Sequence, residues 1–129
     1  MAILDGKISV TKIFTFEAAH FIPEHSGKCK NVHGHSYTLE IEVSTLGGFV
    51  LQKGMVIDFG DLKQIVNPML EEYYDHHFLN DTVDKNPTAE VMVSAIVSDL
   101  KNLIKEPLCL IRVRLWETAT CYAEWKGGN

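Results

Sequence analysis

The stretch Ser36-Tyr37-Thr38-Leu39-Glu40-Ile41-Glu42-Val43-Ser44-Thr45-Leu46 decides the fold. Tyr37, Leu39, Ile41 and Val43 alternate with Thr38, Glu40, Glu42 and Ser44. A period of two puts successive side chains on opposite faces, so one face is apolar and the other wet, the signature of an antiparallel sheet covered on one side. Working back, Phe21 to Val32 carries Pro23, Gly27 and several polar residues and reads as a loop. Before it, Lys7 to His20 is rich in β-branched and aromatic residues and reads as a first strand.

Working forward, Gly47-Gly48 turns the chain and Phe49 to Ile57 reads as an extended piece. Asp58 to Tyr74 predicts a helix, because Leu62, Ile65, Val66, Met69 and Leu70 form one apolar stripe. Asp58 suits its N-cap, and Pro68 should kink it. A second helix is predicted from Pro87 to Lys105, capped by Asn86, with Val93, Ile96, Val97, Leu100, Leu103 and Ile104 buried. Leu108 to Trp116 and Ala119 to Trp125 read as the last strands, with Leu110 alternating against Arg112 and Arg114. The order ββααββ predicts an α+β domain spanning 1–129, a four-stranded antiparallel sheet with two helices on one face. Its open edges invite pairing with another subunit, so a symmetric oligomer is expected.

Composition narrows the function. The chain has 129 residues, 46% hydrophobic and 22% charged, which fits a globular protein. A net charge of −5 argues against a nucleic-acid partner. No apolar run approaches the ~20 residues of a membrane span, and the first residues lack the build of a signal peptide, so a cytoplasmic address is expected. Cys29, Cys109 and Cys121 are too few and scattered for a disulfide framework. Cys109 and Cys121 fall in strand patterns and read as packing residues.

The chemistry gathers around the first loop. His33-Gly34-His35 starts a strand, so both rings point to one face with Cα atoms roughly 6–7 Å apart, close enough to share a metal. Alone, such a pair is as readily two surface histidines near a turn. His20 ends the preceding strand, and pairing of the two strands brings it to the other two. Three histidines with an open fourth position make a catalytic zinc site. Cys29 lies in the same loop between Lys28 and Lys30, either as a reactive thiol or as a fourth ligand. In Asp75-His76-His77 a carboxylate neighbours a histidine, which suits general acid–base work or merely ends a helix. Glu117, at a strand end, suits a ligand with adjacent N–H donors or is a plain surface glutamate.

Phe16-Glu17-Ala18-Ala19-His20, Cys29-x-x-x-His33-Gly34-His35, Asp58-Phe59, Asp75-His76-His77-Phe78-Leu79-Asn80, Asn86-Pro87-Thr88-Ala89-Glu90 and Glu117-Thr118 together resemble the 6-pyruvoyltetrahydropterin synthase family. The match runs from about residue 8 to 125. The gap of three residues between Cys29 and His33 is similar to the bacterial 6-carboxytetrahydropterin synthase branch of queuosine biosynthesis. A longer gap marks the pyruvoyl-forming branch, and a glutamate in place of Cys29 marks a third. The resemblance implies a tunnelling fold (T-fold) in which subunits join their sheets into a barrel. It also implies a homohexamer, a dimer of trimers with active sites at subunit interfaces. It implies the substrate 7,8-dihydroneopterin triphosphate and the products 6-carboxytetrahydropterin, acetaldehyde and triphosphate.

Residue by residue, the resemblance makes His20, His33 and His35 ligands of Zn2+ and Cys29 the general base. Asp75 and His76 become a proton-relaying dyad, and Glu117 and Thr88 substrate-binding residues. Lys28 and Lys30 meet the triphosphate on charge and position alone. Two rivals keep the same scaffold: a synthase of 6-pyruvoyltetrahydropterin, and a non-catalytic metal-binding assembly protein. The run Ala119-Thr120-Cys121-Tyr122-Ala123 and the short segment from Leu46 to Lys53 depart from the family pattern.

Overall fold

A computed structural model describes residues 7–46 and 54–127, with the side chain of Cys29 outside that description. The chain runs β1 (Val10–His20), a 3-10 turn (Lys28–Lys30), β2 (His33–Thr45), α1 (Phe59–Tyr73), α2 (Leu79–Thr82), α3 (Ala89–Leu103), β3 (Leu108–Thr118) and β4 (Cys121–Lys126). The strands form one antiparallel sheet in the order β1-β2-β3-β4. Its apolar face carries Phe14 and Phe16 from β1, Tyr37, Leu39, Ile41 and Val43 from β2, and Val113 and Leu115 from β3. These pack in one core with Leu62, Val66 and Leu70 of α1 and Met92, Ile96 and Leu100 of α3. Burying such side chains contributes about 1.5–3 kcal/mol each, which fixes the strand register because a one-residue slip would expose the whole set.

The helices depart from expectation in three ways. The element order is ββαααββ rather than ββααββ, because Leu79 anchors the extra turn α2 by full burial. Pro68 lies inside an unbroken α1. The carbonyl it leaves without an amide belongs to Gln64, and both residues are exposed, so water can take that bond. The cap of α3 is Thr88, whose Oγ1 accepts the Val91 amide at 3.2 Å, and not Asn86. The helix starts later because the carbonyl of Pro87 is used elsewhere, as described below. Asp58 caps α1 as expected, accepting from the Gly60 amide at 2.7 Å.

The strands shift less. β1 begins at Val10 rather than Lys7, β2 takes in His33, and β4 begins at Cys121. Leu110, Arg112 and Arg114, two apart, should share a face. They do not, because a bulge opposite Glu42 and Val43 inserts Ile111 and reverses the alternation. Leu110 is therefore buried, while Arg112 reaches Glu42 at 3.0 Å and Arg114 reaches Glu124 at 2.7 Å on the far face. Gly47-Gly48 and most of Phe49 to Ile57 lie outside the described residues. The described end, from Gly54, is not a strand; Gly54 itself adopts φ +74°. Cys121 is exposed rather than packed, and Cys109 is half-buried.

The outer edge of β1 is closed over its last third. Residues 75–80 run along it: the Glu17 amide donates to Asp75 Oδ1 at 2.9 Å, the His76 amide donates to the Glu17 carbonyl, and the Ala19 amide donates to the His77 carbonyl at 3.2 Å. This strip positions everything that follows.

Candidate metal centre

β1 and β2 pair so that His20 sits opposite His33 and Ala18 opposite His35. Alternation then sends His20, His33 and His35 to the helix-covered face, at the end of the sheet beyond Phe16 and Tyr37. Their ring centroids form a near-equilateral triangle with sides of 4.7, 5.0 and 4.7 Å. One nitrogen from each lies within 4.8 Å of the others. His20 is fully buried; His33 and His35 are partly exposed.

Hydrogen bonds fix which nitrogens face inward. Nδ1 of His20 lies 2.9 Å from the Pro87 carbonyl, and Nδ1 of His33 lies 2.7 Å from the Asn31 carbonyl. A carbonyl only accepts, so each Nδ1 carries the proton and each neutral Nε2 is a bare lone pair. Burial holds His20 below its usual pKa despite the raising pull of Pro87 and Glu117, and burial likewise lowers His35. The neutral forms of His20 and His35 are therefore favoured. The two Nε2 atoms of His20 and His33 nevertheless approach to 3.1 Å. Two lone pairs at that distance repel, whereas a cation between them attracts both. A tetrahedral zinc with bonds of 2.0–2.1 Å would need ligand nitrogens about 3.3 Å apart. Nε2 of His35 is buried and has no hydrogen-bond partner among the described residues. The donor set thus fits a borderline-soft divalent metal, with one side open.

Glu117, next to last in β3, holds its carboxylate 3.8 Å from His20 Nε2 and 4.0 Å from His35 Nε2. It also lines a cleft of about 570 Å3 between α3 and β4, shared with Ala89, Ser94, Cys121 and Tyr122. No residue pattern announced that cleft. Thr88 sits beside the Pro87 carbonyl; its oxygen accepts the α3 cap bond, which leaves its hydroxyl proton free for a ligand. Lys28 and Lys30 are exposed in the 3-10 turn.

Asp75 and His76 form a pair, with Oδ2 and Nδ1 3.0 Å apart. Burial pushes the Asp75 carboxyl up, but the Glu17 amide and the His76 imidazole outweigh it and hold the group below the usual carboxylate range. His76 adopts φ +60°, a left-handed conformation that costs of order 1 kcal/mol for a residue with a Cβ. The hydrogen bond to Glu17 holds it there. His76 lines a second cleft of about 500 Å3 with Glu17, Ser36 and His35. Glu17 and Ser36 are hydrogen-bonded through their side chains at 2.6 Å, on the face of the sheet away from the helices. His76 thus lies at the edge of the sheet, in a cleft that Glu17 and Ser36 share with His35.

Sequence reasoning missed the carbonyls of Asn31 and Pro87, which no residue type announces. It also missed Asn80, although that residue ended a quoted motif.

The family described as 6-pyruvoyl tetrahydropterin synthase matches residues 9–128. The 6-carboxy-5,6,7,8-tetrahydropterin synthase of Haemophilus influenzae is 34% identical over 139 residues, covering 91% of this chain and 97% of its own. That of Bacillus subtilis is 36% identical over 134 residues, covering 92% and 87%. The structure of Caenorhabditis elegans 6-pyruvoyl tetrahydropterin synthase superposes with a TM-score of 0.81 at 26% identity, covering 94% of this chain and 96% of that one.

Proposed function

This chain belongs to the 6-pyruvoyl tetrahydropterin synthase family, and on that premise we propose that it is a zinc-dependent lyase. The reaction proposed converts 7,8-dihydroneopterin triphosphate and water to 6-carboxy-5,6,7,8-tetrahydropterin, acetaldehyde and triphosphate. The observation that carries this reading is the convergence of His20, His33 and His35, with the Nδ1 atoms of His20 and His33 already committed to carbonyls. Relatives at 34% and 36% identity named for this product favour it over the pyruvoyl product.

His20, His33 and His35 would hold the metal and leave a fourth position open, and the bound ion would supply Lewis-acid polarisation of a hydroxyl oxygen of the substrate side chain. Cys29, four residues before His33, takes a proton from the side-chain carbon framework as general base. Asp75 orients the imidazole of His76, from which His76 can deliver a proton. Glu117 accepts the paired N–H groups of the amino-pyrimidine edge, and Thr88 donates its hydroxyl proton to the same ring. Lys28 and Lys30 meet the triphosphate.

The exposed position of His76 at the edge of β1 suits a site completed between chains, in which one subunit supplies the histidines and another the dyad. A homohexamer built as a dimer of trimers satisfies that need. No described helix is long and apolar enough to cross a membrane; a cytoplasmic enzyme is the proposal. The deciding experiment incubates the protein with dihydroneopterin triphosphate and measures products and bound zinc in one sample. Acetaldehyde in step with triphosphate is expected. Triphosphate without acetaldehyde would establish the pyruvoyl synthase instead, and bound zinc without turnover a non-catalytic metal protein.

A further inference from the structure

We propose that Asn80 is a positioning residue for the metal centre, acting on His20 through the backbone on either side of it. This rests on the reading of the three histidines as a metal site. Asn80 lies in α2, and its side-chain hydrogen bonds go to backbone atoms and not to the three rings. Its Oδ1 accepts the Phe21 amide at 2.9 Å, and its Nδ2 donates to the Phe21 carbonyl at 2.9 Å. The same Nδ2 donates to the Lys85 carbonyl at 3.2 Å. One side chain thus ties three segments together: the residue after His20, the helix α2, and the loop that carries Pro87.

The two ends of that tie frame His20. Phe21 follows it directly, so its peptide orientation sets where β1 ends and how the His20 Cα–Cβ bond points. Lys85 lies two residues before Pro87, whose carbonyl fixes the His20 tautomer. If either end drifts, the Nδ1–carbonyl bond lengthens and Nε2 swings away from His33. The amide of Asn80 replaces the strand that β1 lacks on its outer edge. It continues the ladder that Glu17 and Ala19 make with residues 75–77. Only an amide does this, since the site needs an acceptor and a donor within one planar group.

Asn80→Asp keeps the shape and the acceptor but removes both donated bonds and sets a carboxylate against two carbonyls. Asn80→Ser shortens the group and tests the same loss without a charge. Tyr74→Phe is the stability control, because it removes a part-buried hydroxyl bond to Asp99 between the end of α1 and α3. The purified full chain is stripped, and zinc affinity is measured by competition with a chromogenic chelator. The visible spectrum of the cobalt-loaded protein reports ligand geometry. Both Asn80 variants should bind zinc about tenfold more weakly, the lower end of the ~10–100-fold seen when outer-shell partners are lost. Their cobalt bands should shift, while Tyr74→Phe, with a comparable fall in Tm, should keep wild-type affinity and spectrum. Wild-type affinity and an unmoved cobalt band in Asn80→Asp would overturn the proposal. So would an equal loss of affinity in Tyr74→Phe, or failure of both Asn80 variants to fold, either of which makes Asn80 a general structural residue. Failure of the wild-type chain to bind either metal is a separate result, which removes the metal reading itself.

Discussion

Nε2 of His20 faces Nε2 of His33 across 3.1 Å, while the other nitrogen of each ring is held by a main-chain carbonyl. Neither ring can turn away without giving up a hydrogen bond. The metal is therefore expected to meet ligands already in place, which limits the ordering cost of binding.

Replacing His33 by alanine leaves two imidazoles. We expect His33→Ala to retain only a small fraction of the wild-type zinc, with turnover falling in parallel. Metal analysis of the purified variant checks this, and a full complement of zinc would show that the ligand was misassigned.

Cys29 is assigned to proton transfer and not to the metal. Cys29→Ala should keep its zinc and lose about 10²–10⁴ in kcat, the usual contribution of a general base. Loss of zinc together with activity would make Cys29 a ligand.

The Asp75–His76 pair and the histidine cluster are assigned to different subunits of one site. Chains carrying His33→Ala and chains carrying His76→Ala should each be inactive alone. Co-assembled, they should recover activity, roughly a quarter of the sites in an equal statistical mixture. Assay of the co-expressed pair decides it; no recovery would place both parts of the site within one subunit.

Much of this was written in the sequence, and the exceptions share a cause. The alternation of Tyr37, Leu39, Ile41 and Val43 could be read because each strand position reports its own face. The cap at Asp58 could be read because capping is local. The inversion at Ile111 could not, since a bulge exists only relative to the partner strand. Asn86 and Thr88 are both capping types, and the choice between them depended on a carbonyl being needed at Pro87. The three histidines were legible because one hairpin brings them together. The backbone turn at His76 was not, because a single left-handed residue after α1 redirects the chain.

Asp75 links pH to stability. Its folded pKa is lowered, so its contribution is present above the unfolded carboxyl value of about 3.9 and is lost as pH falls through the folded value. Asp75→Asn should be less stable than wild type by about 0.5–1 kcal/mol at pH 7. In urea titrations that gap should close below about pH 3–4. A gap independent of pH would mean that the charge is irrelevant.

Tyr74 acts at the alkaline end. Burial, then its bond to Asp99, raises the phenol above its ordinary value. Its contribution is complete below about pH 10 and is lost as pH rises further. Tyr74→Phe should cost about 1 kcal/mol at neutral pH. Its stability should fall less steeply than wild type between about pH 10 and 12. Parallel curves would show that other groups govern alkaline unfolding.

The acceptors that aim His20 and His33 are peptide oxygens, and a peptide oxygen has no codon of its own. Positions 31 and 87 should therefore tolerate many replacements in a deep substitution scan, provided the chain keeps its path. Adding or deleting a single residue between 21 and 33, or between 80 and 88, should release the ion. What is inherited at this centre is a pair of loop lengths as much as a set of side chains.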